Sequence, residues 1–141
     1  MTKLVRSCAL LMLGTFVLSC QSYTTGLQQS VARADEASAL AAMKAISSAQ
    51  QMYSVSNNGA YASFQQLCEA GLLDERFNSA NPQIKDYIFT METGTNTYRI
   101  NADPAGSGDK AGRHLYMDST GPLIRVNNTQ AAGASDPLMQ P

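Results

Sequence analysis

Chemistry in this chain must come from a short supply of reactive side chains. It has one histidine, His114, and three cysteines, Cys8, Cys20 and Cys68. A Cys68–His114 pair would supply a thiolate nucleophile and its base, provided that nucleophile, base and an orienting group converge. Cys68 falls on the apolar face of a short helical pattern, where cysteine behaves as a small hydrophobe. His114 falls in an alternating, strand-like run, with Asp118 four residues on as its only evident carboxylate. The pair therefore reads as one core position and one strand position, and no catalytic residue is expected. Asp103, Asp109 and Asp118 are candidate calcium ligands. Calcium takes about six to eight oxygens, and glycines separate Asp103 from Asp109 without the spacing of an EF-hand, so solvated loop and turn positions are the favoured reading. One histidine and one spare cysteine cannot complete a zinc shell. Phosphate-loop and Ser-His-Asp patterns are absent, and no cofactor is expected.

The elements that would position these residues begin with Val31 to Asn57, an alanine-rich stretch that predicts one long helix. Ala39, Ala42, Met43, Ile46, Ala49 and Tyr53 recur at the spacing of a single helical face, which predicts a buried stripe. Lys44, Ser48, Gln51 and Ser54 fall on the other faces. Asn57, Asn58 and Gly59 tolerate the left-handed backbone that ends many helices. Ser63 and Gln66 have the spacing of a capping box, which predicts a second, short helix from about Phe64. Gly71 followed by Leu72 predicts its Schellman-type stop, with Phe64, Leu67, Cys68 and Leu72 facing inward. Asp74 to Pro82 reads as a polar turn region.

Alternation then predicts four antiparallel strands: Tyr87–Glu92, Thr97–Ala102, Arg113–Asp118 and Leu123–Asn127. Residues 93–96 make a hairpin, 103–112 a glycine-rich loop and 119–122 a turn. Tyr87, Phe89 and Met91 share a face, as do Tyr98 with Ile100 and Leu115 with Met117. The expected fold is α+β: a long N-terminal helix packed on a four-stranded antiparallel sheet, with a short helix between them. Residues 128–141 hold mainly small, polar and proline residues, which predicts a disordered tail.

The front of the chain reads as targeting sequence. Lys3 and Arg6 precede an apolar run from Cys8 to Leu18 that is too short for the roughly twenty residues of a permanent membrane span. Val17-Leu18-Ser19-Cys20 resembles the lipobox of bacterial lipoproteins. That resemblance implies cleavage after Ser19, a diacylglycerol on Cys20 and acylation of the new amino terminus. Residues 1–19 are then the signal, 20–30 the lipidated cysteine and a polar tether, and 31–127 the folded domain. Gln21 is not the aspartate associated with inner-membrane retention in enteric bacteria, so the expected location is the cell envelope, at the outer membrane facing the periplasm or the cell surface. The formal net charge of the 141-residue chain is −1, and cleavage would remove two cations. No basic cluster is left to follow a phosphate backbone, so nucleic acid is not an expected partner. With Cys8 cleaved away and Cys20 committed to lipid, Cys68 has no intramolecular partner.

From residues 39 to 125 the chain resembles the globular part of type IV pilins and type II secretion pseudopilins. The segments that carry the resemblance are Ala45-Ile46-Ser47-Ser48-Ala49-Gln50-Gln51-Met52-Tyr53, Asn58-Gly59-Ala60-Tyr61-Ala62-Ser63, Leu67 with Gly71-Leu72-Leu73-Asp74, Tyr87-Ile88-Phe89-Thr90, Asp103-Pro104, and Arg113-His114-Leu115-Tyr116-Met117-Asp118-Ser119-Thr120-Gly121. The resemblance lies in their order and spacing, and it implies a helix laid across an antiparallel sheet. Pilins normally begin with a hydrophobic helix bearing a glutamate near its start. The run from Cys8 to Leu18 has no acidic residue and leads to Cys20 instead. The expectation is a non-enzymatic, lipid-anchored envelope protein with a pilin-like head, a structural or interaction module whose partners are the membrane and other envelope proteins, as an accessory to a pilus or secretion apparatus. The competing expectation is a periplasmic or surface ligand-binding lipoprotein, which requires a concave apolar pocket.

Overall fold

A computed structural model describes residues 18–106 and 112–140, with side chains from Gly26 onward. The described chain opens in α1, Leu18–Ser56, a continuous helix of 39 residues. Then come α2 (Phe64–Glu69), a single 3₁₀ turn at Glu75–Phe77, and five strands: β1 (Gln83–Ile84), β2 (Tyr87–Gly94), β3 (Thr97–Pro104), β4 (His114–Asp118) and β5 (Gly121–Asn127). The strands form one antiparallel sheet in the spatial order β1-β2-β3-β4-β5, so each pairs with its neighbour in sequence. The class is α+β as the patterning predicts, with a fifth strand where four are expected. β1 is two residues long and follows Pro82, too short to leave an alternation in the sequence.

The helical stripe packs on the sheet. Ala39, Ala42, Met43 and Ile46 join Tyr87, Phe89, Ile100, Ala102, Leu115 and Met117 in the main core. Ala49 joins a smaller cluster with Ala62 and Leu67, against which half-buried Tyr53 rests. Lys44 and Gln51 are exposed. Beside the stripe two polar side chains are also buried, and both are satisfied. Ser47 accepts from the Tyr98 hydroxyl at 3.2 Å. Gln50, fully buried, donates to the Ala62 carbonyl at 2.6 Å and accepts from the Ala62 amide at 3.0 Å. Its carboxamide stands in for a neighbouring strand and ties the segment after α1 back onto the helix.

The caps follow the sequence. Ser63 and Gln66 form both arms of a capping box, and α2 closes with the Leu72 amide on the Leu67 carbonyl and the Gly71 amide on the Cys68 carbonyl, each at 2.9 Å. That is the Schellman pattern, and Gly71 supplies its left-handed residue at φ +70°.

Two expectations are corrected. Residues 20–30, expected to be a polar tether, are part of α1. Extending a helix adds about one hydrogen bond per residue fixed, whereas starting one is costly. The packed half of α1 supplies the nucleus, and Thr24, Thr25 and Gly26 are carried along although each is a poor helix former alone. The tail, expected to be disordered, is fixed against β5. The Val126 amide donates to the Pro137 carbonyl and the Met139 amide to the Ile124 carbonyl, at 3.0 and 2.8 Å, so Leu138 bridges to Arg125 and lengthens the sheet. Ala132 is buried, and Asn101 donates to its carbonyl at 2.7 Å. Composition cannot signal this, because the bonds of the tail to β5 and to Asn101 are made by its main-chain groups, which every residue carries.

Candidate functional site

Strand alternation divides the reactive residues between two faces. Leu115 and Met117 of β4 point into the core, so His114, Tyr116 and Asp118 point to the opposite face. There His114 Nδ1 lies 2.6 Å from Asp103 Oδ1. The orienting carboxylate is thus Asp103 and not Asp118, and Asp103 belongs to β3 and not to a loop. The register explains the pairing: Ala102 stands opposite Leu115, which sets Asp103 beside His114. The intervening glycine-rich loop hid this register from the sequence. Asp118 accepts from the Thr120 amide at 2.9 Å and from the Tyr116 hydroxyl at 3.0 Å. Partial burial raises its pKa, but the hydrogen bonds from Thr120 and Tyr116 and the nearby Arg125 outweigh this and hold it below the ordinary carboxylate range.

Cys68 is remote from this face. It packs on the core from the α2 side, with the sheet between it and His114. Its thiol donates to the Asp74 carbonyl at 3.3 Å. Burial, with Glu75, Asp74 and Glu69 nearby, pushes its pKa up and disfavours the thiolate that nucleophilic chemistry requires. The structure therefore assembles an Asp103–His114 pair but does not bring Cys68 to it.

A second cluster fastens α1 to the sheet. Glu36 on the helix pairs with Arg113 just before β4, whose Nε lies 3.2 Å from both carboxylate oxygens. The Tyr87 hydroxyl donates to the Arg113 carbonyl at 3.0 Å. Burial first, and then the charge of Glu36, push the Tyr87 pKa up and keep it a donor. Gly112 is required at this point, because a Cβ there would lie 2.1 Å from the Tyr87 oxygen. Sequence reasoning placed Gly112 and Arg113 in a loop and at a strand start, and the Glu36 partner lies 77 residues away in the chain.

Three expected features fall outside the described residues: the signal segment over 1–17, the Cys20 side chain with its lipid, and Asp109. Among the described residues, no group of three or more His, Cys, Asp or Glu is placed to hold a metal ion. No described helix is long and apolar enough to cross a membrane. A cleft of about 360 Å³ separates Leu27, Val31 and Ala32 of α1 from Tyr87, Pro104 and Gly112, with Asp35 and Asp86 at its edge. No protein-family model matches the chain, and neither curated proteins nor solved structures give a match.

Proposed function

We propose that this chain is a non-enzymatic, lipid-anchored protein of the bacterial envelope whose pilin-like head serves as a structural or interaction module, accessory to a type IV pilus or type II secretion apparatus. The observation that carries the reading is α1: one helix of 39 residues includes Cys20 at one end and lies on the antiparallel sheet with the other. A single rigid element thereby links the lipobox-like cysteine to the core. The core itself is closed and satisfied. Among the described residues no buried side-chain nitrogen or oxygen lacks a hydrogen-bond partner. The Asp103–His114 pair serves here as a cross-strand bond. The ligand-binding lipoprotein remains the second reading, and the cleft beside Leu27 and Val31 is the feature that favours it.

Intact mass and peptide mass spectrometry of the protein purified from membranes test the anchor. The expected amino terminus is Cys20 carrying acyl chains, and Cys20→Ala is expected to leave the chain uncleaved or to release it from the membrane fraction. An unmodified Cys20, or an amino terminus elsewhere, overturns the reading.

A further inference from the structure

One wall of the cleft of about 360 Å³ is a single face of α1, on which Leu27, Val31 and Asp35 recur every four residues with Ala32 beside them. The facing wall is built on Tyr87, with Asp86 at its edge. Leu27 and Val31 line the cleft and still keep 52% and 57% of their surface in water, so a molecule seated there has apolar area left to bury. The facing wall is fixed before any ligand arrives. Tyr87 is buried and its hydroxyl is spent on the Arg113 carbonyl, Arg113 is spent on Glu36, and the Ala105 amide holds the Asp86 carbonyl at 2.7 Å. A preformed site of this kind costs a ligand little ordering of the protein.

Charge then selects the ligand. Among the described lining residues Asp35 and Asp86 are the acids, and there is no lysine, arginine or histidine. The ion pairs among the described residues use neither carboxylate. Arg33 is two residues from both Val31 and Asp35, about 200° round the helix, and Lys85 lines a separate trough with Ala41 and Leu73. The field beside the cleft is accordingly negative: after burial, Glu36, Asp35 and Asp103 push the Tyr87 pKa up against the opposing charge of Arg113. From the cleft and its charges we infer that it binds a small organic cation with an apolar body, an alkyl- or arylamine, whose ammonium group is held by the carboxylates of Asp35 and Asp86 and whose body lies against Leu27 and Val31. The volume falls at the small end of the roughly 300–1,000 Å³ of small-molecule sites. The inference rests on the ligand-binding reading, to whose cleft it gives a chemical class, and needs neither lipid on Cys20 nor a pilin-like head.

The test is isothermal titration of the full-length protein with phenylbutylamine, phenylbutanol and phenylbutyrate, which share one apolar body and carry a cation, no charge and an anion. Buffer with any detergent it holds is titrated alone as the reference. The amine is expected to bind about tenfold tighter than the alcohol, since each exposed carboxylate is worth a few-fold, and phenylbutyrate more weakly than both. Asp35→Asn and Asp86→Asn are each expected to cost the amine a few-fold and to leave the alcohol unchanged. Ala32→Phe fills the cleft and removes both, whereas Arg33→Gln changes neither. Thermal melts check that each variant is folded, and if Ala32→Phe is not, Leu27→Ala at its half-exposed position is expected to weaken all three probes. Equal affinity for amine and alcohol would overturn the cationic class and leave the ligand-binding reading standing. Amine binding that neither Ala32→Phe nor Leu27→Ala alters would place the cation elsewhere and overturn the site. No saturable binding of any probe would overturn the inference together with the reading it rests on.

Discussion

Gln50 and Asp118 show how single side chains hold this head together. Gln50 gives a buried carboxamide to both main-chain groups of Ala62, so Gln50→Ala leaves a buried donor and acceptor unpaired. The expected loss is about 1–3 kcal/mol, against about half a kcal/mol or less for exposed Gln51→Ala, as measured by urea denaturation of each variant. Asp118 sets a pH dependence. Its pKa is lower in the folded chain than in the unfolded one, so its contribution is fully present above the unfolded value of about 3.9 and is lost as pH falls through the lower folded value. The stability difference between wild type and Asp118→Asn is expected to shrink as pH is taken from about 6 to about 2.5. A constant difference in denaturation midpoints across that range would contradict the assignment. Neither role was legible in the sequence. Gln50 looks like any helix-surface glutamine until Ala62 is folded against it, and the partners of Asp118 depend on a turn at Ser119 and Thr120 whose hydrogen bonds composition does not specify.

The elements were more legible than the contacts between them. The stripe from Ala39 to Ala49, the capping box at Ser63 and the Schellman stop at Gly71 are local patterns set within a few residues, and local patterns survive into the fold. The β2–β3 hairpin was readable for the same reason, its turn carried by Thr95 and Asn96 with Asn96 at φ +58°. What failed had other causes: α1 propagates beyond its packed half, β1 is too short to leave an alternation, and Asp103 meets His114 only through a register set across a loop. If the stripe carries the packing of α1, Ile46→Ala is expected to cost about 2–5 kcal/mol and Lys44→Ala no more than about half a kcal/mol. Chemical denaturation separates the two, and equal small effects would mean that α1 is held by something other than its buried face.

At the scale of the whole molecule, the chain from Asn128 onward completes the sheet. An unprotected β5 would present a row of unpaired amides and carbonyls, an invitation to edge-to-edge association. The Pro137–Met139 segment covers that edge, and Asn127 and Arg125 hold Asp136 in place, with contacts of 3.0 Å to its carboxylate and 2.7 Å to its carbonyl. Deleting residues 128–141 is expected to lower stability by at least about 1 kcal/mol and to make the protein associate in a concentration-dependent way, read by light scattering. A fully disordered tail would leave both quantities unchanged. The strand order has a kinetic counterpart. Because every strand pairs with its neighbour in sequence, the sheet can zip from β1 toward β5 through short loop closures, the regime in which small domains fold fast. The closing segment also follows all five strands in the chain, so a nascent chain carries an open edge on β5 until residues 137–139 emerge.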